Sequence, residues 1–175
     1  MKNFTVKNGL NVNLCLIQKE QNGKNFFVVA VHNGKQVGFC NFEFHEDECR
    51  LIRIAVTNKN FLSKGVGNIM FKTMENFAFE NGIKYLSGIF IPRGYANAWD
   101  LTAKFYQRQK MTSSNFDYDY CDRDDISKNI TEANQEFSIK PVVDEKLYSK
   151  VQKYNYETND IFSSNSKNEN VDLEF

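Results

Sequence analysis

Up to residue 57 the apolar residues fall at every second position or in short unbroken runs, and from residue 66 they recur every third and fourth position. The change happens across a polar loop, residues 58–64, that runs into Gly65-Val66-Gly67. A period of two makes a strand with one buried face, and a period near 3.6 makes a helix lying on something apolar. A chain carrying both in that order has to lay helices on a sheet. The expected fold class is therefore α/β in the broad sense (α+β), with a mixed, mostly antiparallel sheet and flanking helices.

The first part reads as an antiparallel meander. Val12, Leu14 and Leu16 alternate with Asn11, Asn13 and Cys15, and after Asn22-Gly23 residues 26–31 form a continuous apolar run, as in a strand covered on both faces. Asn33-Gly34 favours the positive φ angles of a type I′ hairpin. Residues 37–44 return as its partner, with Phe42 and Phe44 on one face and Glu43 and His45 on the other. Glu46-Asp47-Glu48 makes a charged turn, and residues 51–56 make a fourth strand.

Past the glycines a helix of about 15 residues is expected, with Ile69, Met70, Thr73, Met74, Phe77 and Ala78 as its apolar stripe. Asn81-Gly82 closes it. Residues 85–91 read as a strand ended by Pro92. A second helix is expected over residues 97–109, with Ala98, Leu101, Thr102 and Phe105 facing inward and Asn97 with Asp100 as a capping pair. Further on the pattern weakens. Residues 116–120 alternate, residues 122–136 read as polar and partly helical, and residues 137–143 suit an edge strand because Pro141 cannot donate to a ladder. From about Tyr156, Ser, Asn, Glu and Asp dominate, which predicts a disordered tail. The expected division is one domain over residues 1–143 and a C-terminal extension over residues 144–175, partly helical and then disordered.

Composition narrows the function. The 175 residues are 41% hydrophobic and include 16 Phe, enough apolar material for one core. Basic and acidic residues balance at 22 each, which weighs against a nucleic-acid partner held by bulk electrostatics. No apolar run approaches the roughly 20 residues of a membrane span, and the first residues lack a signal-peptide pattern. The expected location is the cytoplasm. Cys15, Cys40, Cys49 and Cys121 are widely spaced without a CxxC pair, and His32 and His45 are isolated, so no metal site is expected.

Chemistry concentrates in the loop. Two glycines between a strand and a helix let backbone approach a ligand, and the first N–H groups of a helix are unpaired and favour anions. A phosphate or pyrophosphate site made mainly of backbone follows. A Walker loop needs a Gly-Lys-Ser/Thr ending that is absent, and a dinucleotide fingerprint needs a third glycine where this chain has Met70.

The arrangement resembles the GNAT superfamily of N-acetyltransferases. That family carries Arg/Gln-x-x-Gly-x-Gly/Ala between its fourth strand and the following helix, and Leu62-Ser63-Lys64-Gly65-Val66-Gly67 matches both glycines. A second family element, Tyr-x-x-x-Gly-Phe at the end of the next helix, corresponds to Tyr106-Gln107-Arg108-Gln109-Lys110-Met111. The resemblance spans roughly residues 10–120. Leu62 stands in place of Arg or Gln, and Lys110-Met111 in place of Gly-Phe.

The resemblance implies acetyl-CoA as cosubstrate, bound in a wedge where the fourth and fifth strands of the family, here residues 51–56 and 85–91, splay apart at a bulge. The pantetheine arm would pair with backbone at Ile54, Ala55 and Val56. The pyrophosphate would meet the amides of Lys64, Gly65, Val66, Gly67 and Asn68. Tyr106 would be the general acid that protonates the departing thiolate, a phenol with pKa near 10 being protonated at neutral pH. Glu43 is the candidate base, with His45 on the same face. The partner is an amine-bearing acceptor of undetermined identity, and homodimers occur in the family.

The expected activity is acetyl transfer to a primary amine by direct attack in a ternary complex. The alternative is a GNAT-like module that binds acyl-CoA or a partner without catalysis, motivated by Leu62 and the altered tyrosine motif. A weaker alternative is an interaction domain with an acidic C-terminal part. Asp117, Asp119, Asp122, Asp124 and Asp125 read as a solvated run, with attraction of a cationic acceptor as their other reading.

Overall fold

A computed structural model describes residues 1–90, 98–113 and 124–157. The sheet follows the order β1-β2-β3-β4-β5-β6-β7, with β8 also paired to β2. The strands are β1 (Lys2–Thr5), β2 (Asn11–Gln18), β3 (Asn25–His32), β4 (Lys35–His45), β5 (Glu48–Val56), β6 (Tyr85–Phe90), β7 (Asp124–Asn129) and β8 (Pro141–Val143). The helices are α1 (Val66–Glu80), α2 (Ala98–Arg108) and α3 (Glu145–Glu157). Strands β1 to β5 are antiparallel to their neighbours, β6 runs parallel to β5 across the α1 connection, and β7 is antiparallel to β6.

The expected meander is present with one more strand than the sequence suggested. Phe4 in β1 and Val6 just beyond it are buried, an alternation too short to stand out from its polar neighbours. The β3–β4 hairpin turns on Asn33 and Gly34, both at positive φ, as the dipeptide requires. Pro141 opens β8, a three-residue edge strand beside β2, where its missing N–H costs no ladder bond.

Two expectations are corrected. The polar segment 122–136 contains strand β7, and its helical part is only a 3-10 turn at Gln135–Phe137: among the described side chains of β7 only Ile126 is fully buried, and pairing with β6 makes the strand where the hydrophobic pattern does not. The inner face of α2 departs in part from the expected stripe, of which Phe105 does pack against the core. Leu101 is exposed while Ala103 and Tyr106 are buried, because α2 packs against the start of α1 as well as the sheet. Residues 91–97 and 114–123 lie outside the described residues, and with them the readings of Pro92, the Asn97 cap, the 116–120 strand and Cys121. The expected tail falls outside too, beyond Glu157.

The sheet separates two cores. On one face α1 and α2 cover a cluster that includes Phe26, Phe42, Met70, Phe71, Met74 and Tyr106. Phe26, Phe42, Phe44 and Phe77 form an aromatic knot with ring centroids 4.8–6.3 Å apart, the kind of geometry that adds to simple area burial. On the other face α3 lays Tyr148 and Val151 against Phe27, Val29 and Phe39. Asp144 caps α3 by accepting from the Leu147 N–H at 2.9 Å, and the Tyr148 ring lies 4.8 Å from Phe27. The apolar positions 147, 148 and 151 keep a helical spacing inside an otherwise polar segment.

Tyr148→Ala should remove about 3 kcal/mol of stability, read as a lower urea midpoint at unchanged slope. An unchanged midpoint would mean that α3 is not part of the cooperative unit.

Candidate active site

The site begins with one extra residue. Along β4 and β5, Phe42 faces Leu51 and Asn41 faces Arg53, so Ile52 has no partner and bulges. The bulge inverts the alternation of β5. Before it, Cys49 and Leu51 point into the α1/α2 core; after it, Ile54 and Val56 do, and Ala55 turns toward the α3 core. At the same point the parallel strands part: β5 and β6 pair from Glu48↔Tyr85 to Leu51↔Gly88 and no further. Ile89 and Phe90 continue with β7 instead. Residues 52–56 therefore present an edge with no ladder partner among the described residues. This is the expected wedge, and it holds Ile54, Ala55 and Val56.

The loop after β5 is rigidly built. Val37 O accepts from the Thr57 and Asn58 N–H groups at 2.9 and 3.4 Å, and Asn58 Oδ1 accepts from the Asn60 N–H at 3.0 Å. Phe61 is buried against the His32 ring at 5.0 Å. Lys64 O accepts from the Lys7 N–H at 3.0 Å, tying the loop to the first hairpin. Gly65 then stands as the N-cap of α1 at φ 98 with no side-chain cap, and a Cβ built on it meets nothing within 4 Å. The left-handed φ requires glycine, and the open space leaves the free N–H groups of the first turn accessible. Gly67 has a different reason. A Cβ there would lie 3.3 Å from Phe105 and 4.0 Å from Val56, so this glycine lets α2 close onto α1.

That contact brings the tyrosine to the loop. Phe105 touches Gly67, and the Tyr106 ring lies 5.1 Å from Phe105. Tyr106 is only 6% exposed. Burial, with the neighbouring Cys40 thiol second, raises its phenol well above the ordinary tyrosine value, because the phenolate would lose its hydration. The group keeps its proton throughout the neutral range. Cys40 itself is raised by burial, and its Sγ contacts Met74 Sδ at 3.7 Å.

The altered end of the motif keeps its geometry. Lys110 adopts φ 59, the left-handed conformation for which glycine is the usual residue. The Met111 N–H donates to Tyr106 O at 3.0 Å and the Lys110 N–H to Gln107 O at 2.9 Å, a Schellman ending for α2. Met111 is buried in the core, where the family pattern puts Phe.

Glu43 is not brought to Tyr106. It lies on the sheet face opposite Phe42 and Phe44, 3.6 Å from Arg50, and its side chain is partly exposed. Leu62, in place of the family's Arg or Gln, is 46% exposed and points no charge at the loop. Lys64 is half-buried and Asn68 exposed.

Sequence reasoning missed the clasp around Asn68. Gln109, almost fully buried, donates through Nε2 to Asn68 Oδ1 at 2.9 Å. The Lys128 ammonium donates to Gln109 O at 2.9 Å and bonds Glu75, which also pairs with Lys72 at 3.2 Å. These partners are scattered over α1, the end of α2 and β7, and no local pattern announces them. Among the described residues no cluster of His, Cys, Asp or Glu could hold a metal ion, and no helix is long and apolar enough to cross a membrane.

A mixed sheet whose β5–β6 pair parts at a bulge, bridged by a helix with an open start, is the fold of the N-acetyltransferases. The chain matches the model of the acetyltransferase (GNAT) family over residues 8–109, more than half of its length, and it belongs to that family. No curated protein matches it.

Its fold is similar to that of the PaiA N-acetyltransferase from Thermoplasma acidophilum in complex with coenzyme A (15% identity, TM-score 0.50, 61% of each chain covered). It is also similar to nourseothricin acetyltransferase (18% identity, TM-score 0.51, 62% of this chain and 66% of that one). An acetyltransferase from Streptococcus agalactiae is alike as well (21% identity, TM-score 0.50, 63% of this chain and 70% of that one). At such identities the likeness is one of fold. The chain spans about three-fifths of the length of the first of these structures.

Lys110→Gly should stabilise the protein by up to about 1 kcal/mol, since it removes a side chain from a left-handed position. A thermal melt measures it, and a lower midpoint would contradict the strain assigned to Lys110.

Proposed function

We propose that the protein is an acetyl-CoA-dependent N-acetyltransferase that moves an acetyl group to a primary amine by direct attack in a ternary complex. The observation that carries this reading is the parting of β5 and β6 at the Ile52 bulge, next to the uncapped start of α1 and within one ring contact of the helix that bears Tyr106. A pantetheine arm carries amides that suit the unpaired edge of Ile54, Ala55 and Val56. A diphosphate suits the amides from Lys64 to Asn68, where the helix dipole favours an anion and Gly65 leaves room. Coenzyme A bound to the Thermoplasma acidophilum relative supports the same cosubstrate here.

The chemistry assigned to the chain's own groups is short. The amine nitrogen attacks the thioester carbonyl carbon, the C–N bond forms and the C–S bond breaks. Tyr106 gives its proton to the departing sulfur, a role for which a phenol held neutral is suited. A backbone N–H freed by the bulge steadies the carbonyl oxygen as charge builds on it. The amine's own proton leaves to water; Glu43, the base the sequence suggests, lies beside Arg50 on the face of the sheet away from Tyr106 and would be reached from there only through solvent.

A CoA-binding module without turnover is the second reading, favoured by the exposed Leu62 at a position where the family pattern has a polar contact. Thiol release from acetyl-CoA across a panel of amines decides between them: tight CoA binding with no release on any amine supports the module.

Tyr106→Phe should lower kcat about 100-fold with CoA affinity unchanged; equal turnover would remove the phenol from the reaction. Because burial raises the Tyr106 pKa, the wild-type kcat profile should show no alkaline limb from this group below its ordinary value of about 10. Gly65→Asp should weaken CoA binding at least about tenfold, by like charge and by strain at φ 98; unchanged affinity in calorimetry would move the diphosphate elsewhere.

A further inference from the structure

Helix α3 covers β2, β3, β4 and the last residues of β5 on one face of the sheet, but the same face of the start of β5, of β6 and of β7 carries no helix among the described residues. There a groove of about 340 Å³ is lined by Glu48 and Arg50 of β5, Tyr85, Ser87 and Ile89 of β6, and Asp125 of β7. That volume is within the range of small-molecule sites. Resting on the acetyltransferase reading, we propose that this groove binds the acceptor, and that the acceptor is an alkyl amine bearing a second cationic group at its far end.

The register sets the geometry. Ile89 and Asp125 face each other just past the last β5–β6 pair, so that end of the groove opens on the wedge. Glu48 and Tyr85 form the other end, four residues back from Ile89 along β6 and about 13 Å away. Among the described residues Arg50 is the one cation lining the groove, and it is answered twice, by Glu43 at 3.6 Å and Glu48 at 3.8 Å. Ser87 donates to Glu48 and holds its carboxylate in place. Asp125 at the other end adds a further carboxylate, so the described residues lining and bordering the groove hold three carboxylates to one guanidinium, an excess that draws cations and not anions.

Tyr85 and Ile89, on either side of Ser87 along β6, are the exposed apolar side chains of the lining, each more than two-fifths exposed. A methylene chain fits that strip. Its reacting nitrogen sits at the wedge beside Asp125, and its distal cation sits at Glu48.

The test compares 1,8-diaminooctane with 8-amino-1-octanol, which differs only in replacing the distal ammonium by a hydroxyl. The diamine should show about tenfold higher kcat/KM at low salt, shrinking as salt screens the carboxylates. Glu48→Gln, which keeps the Ser87 hydrogen bond, should raise KM for the diamine about fivefold, leave the amino alcohol unchanged and leave CoA affinity unchanged.

Equal kcat/KM for the two amines, or a preference that survives Glu48→Gln, overturns the assignment while the acetyltransferase reading stands. If neither amine releases thiol, amide shifts of Ser87 and Ser127 on adding the diamine decide. Shifts in a protein that does not bind CoA keep the groove and remove the acetyltransferase reading. No shifts remove the groove.

Discussion

One unpaired residue organises this molecule. Ile52 interrupts the ladder between β4 and β5, and everything beyond it changes phase. Without the bulge, Arg53 and Ala55 would turn into the α1/α2 core and Ile54 and Val56 out of it, since a one-residue slip exchanges the faces of a strand. With it, β5 holds β4 on one edge while its other edge turns away from β6. An open row of backbone N–H and C=O groups inside a sheet is costly unless something polar reaches it. The gap is thus a feature that the rest of the fold must support, and the amide-bearing cosubstrate proposed above suits it.

Support comes from the clasp between α1 and α2. Gly67 admits Phe105, Asn68 bonds Gln109, and the same Gln109 is bonded through its carbonyl by Lys128, whose ammonium also meets Glu75. Burying an ion pair such as Lys128 with Glu75 adds little net stability, because desolvation offsets much of the attraction. Its effect here is geometric. It fixes the end of α2 against α1 and β7, and so fixes Tyr106 relative to the open start of α1. The Schellman ending at Lys110 and Met111 serves the same purpose despite the unusual residues.

The two faces of the sheet do different things. The α1/α2 face is dry and aromatic, and it holds the phenol that keeps its proton. The other face is half covered: α3 closes it over β2 to β4, and Asn155 near the end of α3 accepts from Arg53 at 3.3 Å, next to the bulge. The part with no helix over it among the described residues, from the start of β5 to β7, carries charges and half-exposed apolar side chains. A reaction that brings an activated acyl group and an amine together needs such an arrangement, with a donor held from one side of the gap and an acceptor arriving from the other.

Much of this was legible in the residues. The alternation in β2 to β5, the Asn33-Gly34 hairpin, the stripe of α1 and the Gly65 turn all depend on neighbours a few positions away, and local periodicity records local constraints. Tyr106 and the wedge strands were legible through spacing within a family pattern.

Strand β7 was not legible, because pairing with β6 compensates for its polar side chains. The face of α2 was legible only in part: Phe105 packs inward as its spacing predicts, but Leu101 is exposed, and Ala103 and Tyr106 are buried instead. Gln109, Asn68, Lys128 and Glu75 meet across elements far apart in the chain, and so do the residues of the open groove. By itself the sequence determined which segments become strands and helices and where the backbone must turn left-handed, because those follow from short-range sterics and burial. Only the tertiary structure decided where β5 and β6 part and which side chains face the gap, because both depend on register and packing between distant segments.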